Sequence, residues 1–343
     1  MYTFIIFTLI LSISLIYIQS KYSFLVDKPE NQEHKLTQNK NVPLSGGLFL
    51  FFSLLVGILQ MENQQQNFTV CIFLFLFLIL GIYSDLKINF SPKLRFFFQA
   101  ALVILTITII DLKIDKTNVV FLDLYINNDI FNLIFTSACI LVLINGSNFC
   151  DGINCNVVGY YLIVAFAIFL IDLPLPSLFI SIEKILIIFT IFYLINLFHK
   201  SFLGDNGVYV ISFFMSIYVI EFINMNNNIS SLLALNLLWY PAFENLFTII
   251  RRMFSKKSIQ IADRYHLHIL MFEKILNNKR FIIYNSLTGI ILNIFVLCGI
   301  FLSINFYNNG KILVLILTVN ILCYVTTYYF LLFKKKNLDL DKK

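Results

Sequence analysis

Residues 68–83 read FTVCIFLFLFLILGIY, and Ser84-Asp85 follow at once. These 16 residues carry no charge, and about 20 apolar residues cross a bilayer as a helix. Similar runs lie at 1–19, 45–60, 94–110, 130–144, 157–171, 178–196, 207–222, 229–250, 281–304 and 311–333, which makes eleven in the 343 residues. Hydrophobic residues make up 59% of the chain and charged ones 13%, where a soluble domain has about 25% charged. Mean hydropathy is +0.84. A soluble protein has no core large enough to bury so many runs. The composition predicts an all-α, polytopic integral membrane protein of about 11 transmembrane helices. The shorter runs need tilt or local thinning of the bilayer. No repeat divides the chain, so residues 1–343 read as a single transmembrane domain. Residues 1–19 lack a basic leader and a small-residue cleavage site, so they read as a retained anchor helix.

An odd number of spans puts the termini on opposite sides. One alternating set of loops, with Arg95 at a helix mouth, holds 21 of the 25 Lys and Arg residues, and the other set holds three. Cytoplasmic loops collect these residues. The N-terminus is therefore expected outside and the C-terminus in the cytoplasm. The net charge of +6 follows from this bias and does not call for nucleic acid. The six cysteines show no paired spacing, and Cys150 with Cys155 is too little for zinc.

The polar clusters fall in the cytoplasmic set. Ser84-Asp85-Leu86-Lys87 ends one run, and Ser91-Pro92-Lys93-Leu94-Arg95 opens the next, with Pro92 as a helix-start signal. An acid with several bases there can grip a phosphate or a metal, although flanking charge explains it as well. Asn145 to Asn154 packs amides, Asp151 and two glycines between spans. Amides can read a nucleobase edge, and a simple polar turn rarely needs so many groups. Phe202-Leu203-Gly204-Asp205-Asn206-Gly207 sets a carboxylate just before a span. It can hold Mg²⁺ against a diphosphate, and an N-cap Asp accounts for it equally.

The longest polar gap, Arg251 to Arg280, carries eight Lys and Arg residues, with Arg264, His266 and His268 among its polar groups. The two histidines do not share a helix face at this spacing, so they suit an extended loop or a turn over a ligand. Helical spacing puts Glu244 and Arg251 on one face, as a structural ion pair would need. A transporter would instead place its ionisable groups near the membrane midplane. An enzyme working at the inner surface fits the pattern better.

Taken in order, these pieces resemble the polyprenyl-phosphate N-acetylhexosamine-1-phosphate transferases, glycosyltransferase family 4. The likeness runs from about residue 24 to 270. It begins at Asp27-Lys28-Pro29-Glu30, His34-Lys35 and Val42-Pro43-Leu44-Ser45-Gly46-Gly47, and continues through the clusters above. It implies transfer of an N-acetylhexosamine 1-phosphate from a UDP-sugar to undecaprenyl phosphate, with release of UMP. The cofactor implied is Mg²⁺, or Mn²⁺ in its place, and a homodimer has precedent in the family. The location implied is the bacterial cytoplasmic (inner) membrane, with the active site facing the cytoplasm.

By the same resemblance, Asp205 is the metal ligand. Asp85 helps place or deprotonate the lipid phosphate. Asp151, Asn148 and Asn154 belong to the nucleotide loop, and Asn196 contacts uracil. Arg264, His266 and His268 hold the diphosphate or the sugar. Lys35 meets a lipid or nucleotide phosphate. The chain departs from the pattern at Ser84 and Asn154, where the family has Asp, and at Cys155, where it has Gly. His266-Leu267-His268 lacks the three consecutive histidines of the peptidoglycan enzyme, which argues against a MurNAc-pentapeptide substrate, while the Ser84-Asp85 and Asp151-Gly152-Ile153-Asn154 forms resemble those of O-antigen branches. Two alternatives stay open: an inactive relative that binds lipid carrier or partner enzymes, motivated by Ser84 and Asn154, and a small-molecule transporter.

Overall fold

The computed structural model describes residues 1–27, 41–61, 64–86, 90–176, 180–255, 264–275 and 281–340. Each of the eleven apolar runs carries a helix: α1 (Tyr2–Tyr22), α2 (Gly46–Leu59), α3 (Gln64–Asp85), α4 (Pro92–Ile110), α6 (Asp129–Cys150), α7 (Asn156–Leu170), α8 (Ile182–Leu197), α9 (Gly204–Met225), α10 (Leu232–Phe254), α12 (Phe281–Asn305) and α13 (Gly310–Leu340). Two short helices complete the set, α5 (Val120–Asp123) and α11 (Leu267–Ile275). Among the described residues, eight helices are long and apolar enough to cross a membrane. With 14, 15 and 16 residues, α2, α7 and α8 rise only about 21–24 Å. The protein is an all-α, polytopic membrane protein.

The local signals act as the sequence predicts. Ser91 caps α4 by accepting the backbone N–H of Leu94 at 3.2 Å, with Pro92 in the first turn. Asn128 does the same for α6 through Phe131.

The core is built around α9. It packs against α2, α3 and α6, and Asn206–Val219 are buried without a break. A helix that is apolar all round belongs in the interior. The outermost helices instead expose large apolar side chains, such as Ile10 and Ile13 on α1 and Leu315 and Leu322 on α13. That surface suits lipid.

A two-residue antiparallel ribbon, β1 (Val26–Asp27) with β2 (Val42–Pro43), pairs Val26 with Pro43 and Asp27 with Val42. The Phe202 N–H donates to the Pro43 carbonyl at 2.9 Å, and the Ser45 and Ser201 hydroxyls meet at 2.5 Å. These bonds stitch the segment before α9 to the ribbon. They hold the segment before α9 against the start of α2, while Asp85 of α3 and Arg95 of α4 both bond to the start of α9.

One expectation is corrected here. Asn145–Cys150 does not form a loop; it continues α6. Its polar side chains find partners inside the bundle, as with Asn145 Nδ2 on the Leu141 carbonyl at 2.9 Å. The helix therefore runs on until Asp151, and the true turn is only 151–155.

Candidate active site

The centre of the site joins four helices. Asp85, the last residue of α3, offers both carboxylate oxygens to the start of α9. Oδ1 accepts the Asp205 N–H and Oδ2 the Asn206 N–H, each at 3.0 Å. The Asn206 side-chain amide adds a bond to Oδ2 at 2.5 Å. The first N–H groups of a helix lack intrahelical partners and carry partial positive charge, so a carboxylate there stabilises them. Gly204 makes the approach feasible. Its φ is +69°, and a Cβ would lie 2.9 Å from Asp85 Oδ2; only glycine suits both demands.

Asp205, in the first turn of α9, faces the site with about a fifth of its side chain exposed. Asn148 of α6 donates Nδ2 to its Oδ1 at 2.7 Å. At Oδ2 it accepts the Ser84 hydroxyl at 2.5 Å and Arg95 Nη1 of α4 at 3.2 Å. Arg95 also reaches Ser84 Oγ at 3.2 Å. Ser84 therefore does not leave a gap where the resemblance expects Asp. Its hydroxyl orients Asp205 and helps hold the guanidinium.

Beside this centre opens a cleft with about 430 Å³ of empty space, mouth included. Asp27, Asp151, Gly152, Asn154, Asn196, Gly204 and Asn285 line it. The 151–155 turn forms one wall and is fixed by amides. The Asn154 N–H donates to Asn285 Oδ1 of α12 at 2.7 Å. The Cys155 N–H donates to Asn196 Oδ1 at 2.6 Å, and Asn196 Nδ2 donates to the Ser201 carbonyl at 2.8 Å. Asn196 thus ties two loops together while it lines the cleft. Asn154 Nδ2 donates to His199 Nδ1 at 2.5 Å, which puts the ring proton on Nε2. Burial lowers the His199 pKa to about 4, so the ring is neutral there. Cys155 has φ +65°, a left-handed backbone that explains why the resembled family prefers glycine at this position.

The histidine segment packs behind the wall at Gly152. Gly152 lies so near that a Cβ there would sit 2.3 Å from His268 Nε2. His268 is buried, and its pKa falls to about 3, chiefly because burial penalises the charged ring and next because of His266; Glu244 opposes the shift. The two rings stack at 5.7 Å, 17° apart, and His266 also lies 5.4 Å from the Phe149 ring. They come together because His266 precedes α11 and His268 is in its first turn, so the helical-face argument does not apply between them.

The structure therefore brings together Asp85, Asp205 and Asn148 at the centre, Asp151, Asn154 and Asn196 in the cleft, and His266 and His268 at its wall. Arg264 is exposed at the entry to α11, two residues before His266. Lys35 lies outside the described residues. The Glu244–Arg251 pair predicted from spacing is not what holds Glu244, whose carboxylate meets His266 and Tyr324 instead. Arg95, Asn285 and Tyr324 complete the surroundings and were not singled out from sequence as site residues. Each is one of several polar residues scattered along an apolar helix, and only Arg95, placed at a helix mouth four residues after Ser91, carried a local signal.

The carboxylates fit a hard cation with few protein ligands. Among the described residues no group of three or more His, Cys, Asp and Glu could hold a metal ion. Mg²⁺ typically takes one or two carboxylates and fills its shell with water and phosphate oxygens. Asp205 Oδ1, with Asn148 as its one recorded donor, retains acceptor capacity for such an ion.

Fold and site define a multi-pass helical membrane protein with an acidic centre beside an amide-lined cleft backed by a histidine segment. Residues 67–223 match the profile of glycosyl transferase family 4. Over 277 residues the chain is 26% identical to a probable undecaprenyl-phosphate N-acetylglucosaminyl 1-phosphate transferase of Bacillus subtilis (strain 168), covering 78% of this chain and 75% of that protein. The chain is thus similar to membrane phospho-sugar transferases of glycosyl transferase family 4.

Proposed function

We propose that the protein transfers an N-acetylhexosamine 1-phosphate from a UDP-sugar, GlcNAc or a close relative, to undecaprenyl phosphate. The reaction releases UMP and initiates a cell-surface polysaccharide, with O-antigen the leading candidate. The site faces the cytoplasm of the inner membrane, where nucleotide sugars are made. The observation that carries this reading is the meeting of Asp85, Asp205, Asn148 and Arg95 beside an amide-lined cleft.

In the reaction, an oxygen of the lipid phosphate bonds to the β-phosphorus of the UDP-sugar. The bond from that phosphorus to the bridging oxygen breaks, and UMP departs with the electron pair. Two anions must approach, so catalysis is mainly positioning and charge stabilisation. Asp205 would hold Mg²⁺, which offsets phosphate charge when bound. Arg95 supplies a fixed cation beside it. The amides of the cleft receive the nucleotide end, and His266 and His268 face the diphosphate or the sugar. Asp85, engaged with the start of α9, serves chiefly by fixing Asp205 rather than by taking a proton.

Ser84 and Asn154 are both hydrogen-bonded within the site, which favours an active enzyme over a non-catalytic relative. The test is UMP release from UDP-GlcNAc, UDP-GalNAc and related donors by purified protein with undecaprenyl phosphate and Mg²⁺. Turnover that vanishes in Asp205→Asn supports the proposal. No turnover of any donor by folded protein overturns it.

A further inference from the structure

Glu244 is buried in α10, 1% exposed. A carboxylate is seldom kept at such a place unless paired and hydrogen-bonded. Two partners hold it. His266 Nδ1 lies 2.9 Å from Oε1, and the Tyr324 hydroxyl of α13 donates to Oε2. The same two helices grip the histidine segment again nearby. Lys335 of α13 pairs with Glu273 of α11 at 2.8 Å. The Tyr265 ring has Arg251 5.8 Å from its centre and Lys335 5.0 Å from it. Glu244 and Tyr324 both lie beyond residues 67–223.

We infer that Glu244 is the positioning residue for His266, with Tyr324 fixing the Glu244 carboxylate in turn. A carboxylate accepts only, so the His266 proton rests on Nδ1 and the neutral ring's lone pair on Nε2. Stacking on Phe149 and His268 fixes the ring plane. The ring's direction, and with it that of Nε2, is thereby fixed. The same arrangement tunes histidines in metal sites, where loss of the carboxylate partner costs about 10–100-fold in activity. This inference rests on the proposed function for the role of His266, but not for its tautomer.

The experiment uses full-length protein in detergent, labelled with ¹⁵N-histidine, and UDP-GlcNAc turnover. His266→Asn assigns the His266 signals. In the unmutated protein those signals should show a protonated Nδ1, and Glu244→Gln should shift that pattern. Glu244→Gln should lower kcat about 10–100-fold with KM for UDP-GlcNAc changed less than about threefold. In the His266→Asn background it should cost less than about twofold more, since the two act as one unit. Glu244→Asp should recover part of the loss, and Tyr324→Phe should fall between.

Multiplicative losses in the double variant overturn the inference, as does a His266 pattern unmoved by Glu244→Gln. Should Glu244→Gln fail to fold, Tyr324→Phe carries both readouts: a shifted His266 pattern supports the inference and an unchanged one overturns it. Absence of turnover in the unmutated protein would sink the functional proposal alone, and the nitrogen spectra would still decide the tautomer.

Discussion

Asp85 and Asp205 meet side chain to backbone, not acid to acid: Asp85 Oδ1 accepts the Asp205 N–H at 3.0 Å. Asp205 is thereby left with its own carboxylate turned to Asn148, Ser84 and Arg95. The two acids therefore have separable functions. Asp85→Ala should destabilise the start of α9 by about 1–2 kcal/mol, the size of a lost helix cap, and lower Tm in detergent. Asp205→Asn should abolish turnover with a smaller shift in Tm. Thermal unfolding and UMP release on the same preparations check both.

Gly152→Ala would push a methyl group to within 2.3 Å of His268 Nε2. Either the ring or the 151–155 turn must move. Overpacking of this kind costs about 1–3 kcal/mol. Turnover should fall at least tenfold, and Gly152→Ala with His268→Ala should recover the stability that the single variant loses. Tm of the single and double variants decides it.

Ser84→Asp adds a carboxylate beside Asp205 and Arg95. Two carboxylates bind a divalent cation more tightly than one, so the Mg²⁺ concentration that gives half the thermal stabilisation should fall several-fold. Ser84→Ala should change it less than about twofold and cost about 1 kcal/mol in stability for the lost hydrogen bond. Thermal shifts titrated with MgCl₂, without nucleotide, give both numbers.

Cys155 has a positive φ, which costs an L-residue roughly 1–2 kcal/mol. Cys155→Gly removes that strain and loses a buried thiol, so Tm should stay level or rise. Cys155→Val, branched at Cβ, should lower Tm. A fall with Gly as large as with Val would show that the backbone does not set the preference.

Acid should destabilise the fold through its neutral histidines. Unfolded histidine protonates near 6.5, whereas His199 resists until about 4 and His268 until about 3. Between those values the unfolded chain binds more protons, so stability declines as pH drops from about 6.5 towards 4. Tm measured across that range should fall. His199→Asn, which tolerates the left-handed backbone at φ +59°, should flatten the slope.

The helices were readable because each is an unbroken apolar run, and the bilayer demands length and little else. Their polar ends were readable as clusters. What spacing could not show is which ends meet. Asn285 is one amide in α12, far along the chain from the 151–155 turn that it holds, and Glu244 pairs with His266 rather than with its near neighbour Arg251. Both contacts depend on how helices pack. The end of α6 was misjudged for a different reason. Asn145, Gly146, Ser147 and Asn148 look like turn residues, but in the bundle the side chains of Asn145, Ser147 and Asn148 have partners, so the helix has no cause to stop.

The bond from Tyr324 to Glu244 also ties the centre to the order of biogenesis. The ribosome releases Tyr324 well after Glu244 and His266, so the histidine segment gains this support only once α13 has emerged. A chain stalled before residue 324 would hold its acids and its cleft in place yet lack the strut behind His266. Under the proposed function, synthesis itself would then act as a safety catch on half-made copies.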